Sequence, residues 1–279
     1  NEAKHNYLMT PIVYYNSQMY INELSSSELE QKAEANVRNH NFIVYYQAKR
    51  DIINDIWNSS EALVRWKDDN GQIIPPYKFI PLFEKNGFIT TLDLYVFETV
   101  CNDLRADLDK GLNPLPVSVN LSRKHLLKEN FLLDFEEILD KTNVPANLIE
   151  FELTESMVME NEGTLNDVIN EIHKMGCKCS IDDFGTGYSS LSMLTNFDFD
   201  IIKLDRSFFY GKKTFDKNDM IVVRTLISLA HKLNKKVVAE GIEDEKMLNF
   251  LKKCECDYIQ GYYYAKPVPR DEFLKNTKN

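Results

Sequence analysis

The chain has 279 residues, of which 43% are hydrophobic and 27% charged, a balance typical of a globular domain and unlike that of disordered or collagen-like chains. Lys and Arg total 33 against 43 Asp and Glu, and the net charge of −10 lacks the basic footprint of a protein that coats a nucleic-acid polymer. At roughly 100–200 residues per domain the length admits one large domain or two small ones, either able to fold without disulfide or metal staples.

No run approaches the roughly 18 uninterrupted apolar residues of a membrane span. The first residues, NEAKHNYLMT, lack the basic and apolar blocks of a secretory signal and lack an initiator Met. They suggest a fragment of a longer, cytoplasmic protein that could itself be membrane-anchored. Five Cys (Cys101, Cys177, Cys179, Cys254, Cys256) include two CxC pairs, but the His residues are scattered and the spacing is not that of a zinc site. Zinc is therefore not expected, and the cysteines read as free thiols alternating along strands in a reducing compartment.

In chain order, residues 1–24 are mixed and aromatic. Ser25, Ser26 and Ser27 then precede ELEQKAEANVRNH, whose early acids and late bases suit a helix dipole, so a connector helix is expected before residue 41. From there short β-rich runs alternate with amphipathic stretches. Strands are expected at 42–49, 61–66, 116–122, 148–155, 177–184, 200–205, 236–241 and 257–262. Helices are expected at 91–109, 123–140, 157–175, 217–233 and 243–253. This alternation implies a parallel sheet, and eight strands in about 230 residues fit a closed (β/α)8 barrel. The absence of a GxGxxG fingerprint weighs against an open dinucleotide-binding sheet.

Polar residues interrupt the apolar runs at similar places. Glu61 opens EALVRW, Asn120 ends PVSVN, Glu152 sits in FELTE, Asp182 and Asp183 end CSIDD, Lys203 lies in IIKLD, Glu240 ends VVAE and Gln260 ends DYIQ. In a barrel the strand ends converge on one face, so these distant residues can meet in a ring. In 148–155, Ile149, Phe151 and Leu153 alternate with Glu150, Glu152 and Thr154, which turns Glu152 inward if the apolar set packs on helices. An interior carboxylate needs a partner or a metal. Glu61, Glu152, Asp182, Asp183 and Glu240 carry five negative charges against the one of Lys203, and the remaining four match two divalent cations. Ligands that are all oxygen suit Mg2+ or Mn2+. Two such ions about 4 Å apart, bridged by the Asp pair, are a recurrent device for phosphodiester hydrolysis.

These residues carry a family resemblance. YYQ (45–47), EALVRW (61–66), FIP (79–81), SVNLS (118–122), ELTE (152–155), DDFGTGYSSL (182–191), KLDRSF (203–208), AEGIE (239–243) and QGYYYAKP (260–267) resemble the EAL-domain cyclic-di-GMP phosphodiesterases over residues 41–277. The resemblance implies a modified TIM barrel with its first strand antiparallel, as domain 41–279, and hydrolysis of cyclic di-GMP to linear pGpG in bacterial signalling. It implies that Glu61, Asn120, Glu152 and Asp182 hold one Mg2+ or Mn2+ and that Asp182, Asp183 and Glu240 hold a second. Lys203 would contact the attacking water as base or orienter, Gln260 would position water or a metal-linked group, Arg65 would bind a substrate phosphate, and Gln47 and the Leu63 backbone would line the groove. Glu155 would anchor the loop Gly185, Thr186, Gly187, Tyr188 and Ser189, with Glu243 nearby, coupling homodimerisation to metal binding. Residues 1–40 are similar to the end of a GGDEF domain and its connector, with sensor domains upstream.

Three departures from the family pattern stand out: Ala48-Lys49 after YYQ, Asp68-Asp69 after RW, and Ala265-Lys266 before Pro267. None is expected to touch a metal ligand, so they bear on the substrate groove alone. A non-catalytic cyclic-di-GMP receptor, or a barrel kept only as a dimerisation module, would be expected to have lost acids from the ring.

Overall fold

A computed structural model describes residue 28 and residues 31–68, 70–160, 162–185, 192–210 and 215–277. The end of the expected connector helix is present as α1 (31–38). Its proposed Ser cap and residues 1–27 lie outside the described residues.

The chain closes an eight-stranded barrel. β1 (Phe42–Asp51) and β2 (Ile56–Lys67) form a hairpin. β4 (Val117–Asn120), β5 (Ile149–Thr154), β6 (Lys178–Phe184), β7 (Ile201–Leu204), β8 (Lys236–Ala239) and β9 (Tyr258–Ile259) follow in parallel order from β2, and β9 pairs back onto β1. The short segments β3 (Ile73–Ile74) and β10 (Val268–Pro269) pair antiparallel with β2 and β1. All eight expected strands are present.

The reversed first strand has a local cause. Only residues 52–55 connect β1 to β2, far fewer than a parallel crossover requires. Asp51 closes this turn, its Oδ1 accepting from Ile53 N at 2.9 Å and Asn54 N at 2.8 Å. Every later strand of the barrel itself is reached through a connection long enough to cross the sheet.

Helices α2 (Pro76–Asn86), α3 (Ile89–Asp109), α4 (Leu132–Thr142), α5 (Glu155–Glu160), α6 (Glu162–Lys174), α7 (Ser192–Asn196), α8 (Ser207–Tyr210), α9 (Lys217–Lys232), α10 (Glu245–Lys253) and α11 (Arg270–Asn276) cover the outside. The stretch expected as one helix over 123–140 is a 3-10 turn at Arg123–Leu127 followed by α4, while 157–175 carries the helical segments α5 and α6 on either side of residue 161, which lies outside the described residues. Phe151 of β5 points outward and stacks on Phe97 of α3 at 5.5 Å, with Phe135 of α4 edge-on at 5.4 Å. Such aromatic pairs add about 0.5–1.5 kcal/mol each beyond their burial. Asp216 caps α9 through a capping box and Asp244 caps α10, so both helices begin where a carboxylate meets free N–H groups.

All five cysteines are buried free thiols, but of the CxC residues only Cys179 lies in a strand. Cys254 ends α10 and Cys256 precedes β9, which corrects the alternating-strand expectation. Among the described residues no helix is long and apolar enough to cross a membrane.

Candidate active site

The strand alternation carries the acids inward. On β5, Ile149, Phe151 and Leu153 pack outward, and Glu152 is 1% exposed inside the barrel. Glu61 lies on β2 opposite Gln47 of β1 and beside Ser118 of β4, and Asn120 lies beside Glu152. Glu240 and Gln260 directly follow β8 and β9, with Glu240 N donating to Leu204 O at 3.0 Å and Gln260 N to Ala239 O at 3.0 Å.

Lys203 of β7, 1% exposed, gathers this ring. Its Nζ lies 2.6 Å from Glu152 Oε2, 2.8 Å from Glu240 Oε1, 3.0 Å from Asp182 Oδ1 and 3.8 Å from Glu61 Oε2. Asn120 Nδ2 donates to Glu61 Oε1 at 3.1 Å, and Gln260 Nε2 donates to Glu61 Oε2 at 2.5 Å and to Gln47 Oε1 at 3.0 Å. The structure thus brings together Gln47, Glu61, Asn120, Glu152, Asp182, Lys203, Glu240 and Gln260.

Asp183 joins them through a backbone irregularity. Adjacent strand residues normally face opposite sides. Here the register between β6 and β7 shifts between Ile181 and Phe184, and Asp183 has φ 55°, in the left-handed region. Carboxylate oxygens of Asp182, Asp183 and Glu240 consequently lie within 4.8 Å of one another.

The electrostatics of the ring are unequal. Burial raises the Glu152 carboxyl, but the adjacent Lys203 and Lys49 ammonium groups outweigh it and bring it down to about 2. Burial pushes Glu240 up to about 8, Lys203 opposing and Asp182 and Glu61 reinforcing. Asp183 stays exposed, but partial desolvation beside the ring and the adjacent Asp182 push it up to about 6. Glu61 is raised by burial and by Glu152. Burial disfavours the charge on Lys203, yet Asp182, Glu152 and Glu240 raise it well above the usual lysine range. One ammonium therefore compensates this crowd only in part.

The remaining expected residues lie around the ring. Leu63 and Arg65 share the Glu61 face of β2, and Arg65 stands four residues further along, about 13 Å at 3.3 Å per residue. The Arg65 guanidinium donates to Val64 O at 2.8 Å and lies 5.5 Å from the centre of the Tyr45 ring. Glu155, 3% exposed, accepts from Gly185 N at 2.9 Å. Glu243 is apart from the ring, paired with Arg206 at 3.1 Å. Thr186, Gly187, Tyr188 and Ser189 lie outside the described residues.

Lys49 requires a correction. It was expected to affect only the groove and to touch no proposed metal ligand. The structure buries it inside the barrel, with Nζ 2.9 Å from Glu152 Oε1. The signal was available: Lys49 follows Gln47 by two residues in a strand, which puts both on one face.

The comparisons agree with this architecture. The EAL domain family matches residues 30–267. The chain is 36% identical over 239 residues to the cyclic di-GMP phosphodiesterase PdeR of Escherichia coli (strain K12), covering 85% of this chain and 35% of that protein. It is 32% identical over 265 residues to the cyclic di-GMP phosphodiesterase NbdA of Pseudomonas aeruginosa, covering 94% of this chain and 34% of that protein. The chain thus spans about a third of the length of these curated relatives. The structure of the PaMucR phosphodiesterase in complex with c-di-GMP superposes with a TM-score of 0.82 at 30% identity, covering 88% of this chain and all of that one. By fold, motifs and sequence alike, the chain belongs to the EAL domain family.

Proposed function

We propose that this domain hydrolyses one phosphodiester bond of cyclic di-GMP, releasing linear pGpG, with two divalent cations held by the acid ring. The observation that carries the reading is the convergence of Glu61, Glu152, Asp182 and Glu240 on Lys203, with Asp183 beside them. Two relatives of this chain are named cyclic di-GMP phosphodiesterases, and a neighbouring structure holds c-di-GMP.

The donor set fits hard cations. Its members are carboxylate and amide oxygens, and no His or Cys is among them. Five ring acids and the buried Glu150 face two buried ammonium groups, Lys203 and Lys49, which leaves four negative charges for two divalent ions. Glu61, Asn120, Glu152 and Asp182 would hold one ion, and Asp182, Asp183 and Glu240 the other. When bound, the ions would supply water activation for in-line attack on phosphorus and charge stabilisation at the leaving oxygen.

The chain's own residues have separable tasks. Lys203, its charge reinforced by four acids, keeps its proton and acts by orienting and by charge. In the metal-free ring Glu240, pushed up to about 8, is the carboxylate most disposed to hold a proton, which a cation bound there would displace. Gln260 fixes Glu61 while Gln47 holds Gln260 and donates to Ala265 O at 3.0 Å, tying the ring to the rim. Arg65 would meet a substrate phosphate at the groove. A homodimer and upstream sensor or GGDEF-like domains, preceding a boundary near residue 41, complete the proposed setting in a cytoplasmic signalling protein.

Purified protein with Mg2+ or Mn2+ should convert cyclic di-GMP to pGpG, and EDTA should abolish turnover. Tight binding without product after long incubation with metal would instead assign a receptor.

A further inference from the structure

Beneath the acid ring the barrel holds a second ammonium group. β1 runs against the other strands, so a chain that passes Gln47 at the mouth continues inward to Lys49. Lys49 is 1% exposed. Its Nζ donates to Ser118 Oγ at 2.8 Å and to Glu152 Oε1 at 2.9 Å, and lies 3.6 Å from Glu150 Oε1. The Glu152 carboxylate is therefore held at both oxygens, Oε1 by Lys49 and Oε2 by Lys203 at 2.6 Å.

The two lysines are not equivalent. Lys203 also faces Asp182 and Glu240, so a cation entering the ring competes with it directly. Lys49 meets Glu152 from the opposite side, together with Ser118 and Glu150. A cation can displace Lys203 from Oε2 and leave the Lys49 bond to Oε1 intact.

We propose that Lys49 is a positioning residue, which fixes the rotation of the Glu152 carboxylate from below so that Oε2 alone is presented to the metal site. This rests on the reading of the ring as a cation site. Without Lys49, Glu152 can turn both oxygens to Lys203, and an incoming cation must first undo that pairing. Partners of this kind, one bond behind a metal ligand, typically change metal affinity about 10–100-fold when removed.

The test measures Mn2+ binding to metal-free protein by calorimetry, without substrate, next to the melting temperature. Lys49→Met alone leaves Glu150 and Glu152 without their shared counter-charge and risks misfolding. The Lys49→Met/Glu150→Gln pair removes one charge of each sign. Glu150→Gln should bind Mn2+ as the parent chain does, and the double variant should melt close to it yet bind Mn2+ at least about tenfold more weakly. A purely structural role would lower the melting temperature and leave affinity unchanged. A double variant with parental Mn2+ affinity overturns the positioning role alone, whereas a parent chain that binds no Mn2+ overturns the cation reading of the ring itself.

Discussion

Lys203 Nζ and Glu152 Oε2 lie 2.6 Å apart inside the barrel, and Asp182, Glu240 and Glu61 converge on the same ammonium. In metal-free protein this single side chain does part of what two cations would do. Lys203→Met should therefore remove the counter-charge of four acids, Glu61 and Glu152 buried and Asp182 and Glu240 half-buried. Breaking a buried ion pair from one side costs about 3–5 kcal/mol. The melting temperature in EDTA should fall on the order of 10 °C, at about 2–4 °C per kcal/mol for a chain near this size. Added Mn2+ should return part of the loss without restoring turnover. Thermal melts of both proteins with and without Mn2+ check this, and an unchanged melt in EDTA would deny the hub role.

The ring also makes metal-free stability depend on pH. Glu240 is raised from 4.5 to about 8, so the stability it contributes is complete below pH 4.5 and is lost as pH rises through about 8. Asp183, raised from 3.8 to about 6, acts in the same sense over a lower window. Glu152, lowered to about 2, acts oppositely, losing its contribution only as pH falls below 4.5. In EDTA the melting temperature should drop between pH 6 and 8.5, at least about 2 °C more steeply than in Glu240→Gln. Saturating Mn2+ should flatten the dependence, because a bound cation favours the ionised carboxylates. Parallel pH profiles for parent and variant, in EDTA, that superimpose would refute the assignment to Glu240.

Most of the barrel was legible because its parallel strands are short apolar runs interrupted at or near the C-terminal end by a polar residue, as by Asn120 in Val117–Asn120 and by Lys203 in Ile201–Leu204. The two-residue strands β3 and β10 carry too little pattern to be read. The Pro-rich segment of α2, with Pro81 inside the helix, hides its helical period. Within the site, the ring acids were legible one strand at a time. The conformation of Asp183 was not, since a left-handed residue inside a strand breaks the alternation on which such reading depends. Lys49 is visible in the same alternation as Gln47, but as a departure from the family pattern at no expected ligand position it points only to the groove, and a fully buried lysine is rare.

Asp183 offers a way to separate strain from function. A non-glycine residue at φ 55° carries a steric cost that glycine does not. Asp183→Gly should leave metal-free stability equal or up to about 1 kcal/mol higher, through relief of that cost and of the carboxylate crowding. It should at the same time weaken binding of a second Mn2+ and cut turnover by at least about tenfold, a loss of roughly 1.4 kcal/mol in transition-state stabilisation. Denaturant titration and Mn2+ calorimetry measure the two effects separately. Lower stability together with intact Mn2+ stoichiometry would place Asp183 in the fold and not in the site.

Gly185 links the ring to Phe208 on α8. Its φ is +95°, a Cβ built on it would overlap the Phe208 ring, and its N–H donates to Glu155 Oε2 at 2.9 Å. Gly185→Ala therefore meets two separate obstacles, a disfavoured backbone angle and a steric collision, and overpacking alone costs about 1–3 kcal/mol. Phe208→Ala relieves only the collision. In a double-mutant cycle the pair should be more stable than the sum of the single changes by about 0.5–3 kcal/mol, the range for residues in direct contact. What the pair fails to recover measures the backbone angle. Strict additivity would mean that Phe208 does not confine this turn, and that the cost of a side chain at 185 lies wholly in the conformation that holds Gly185 N against Glu155.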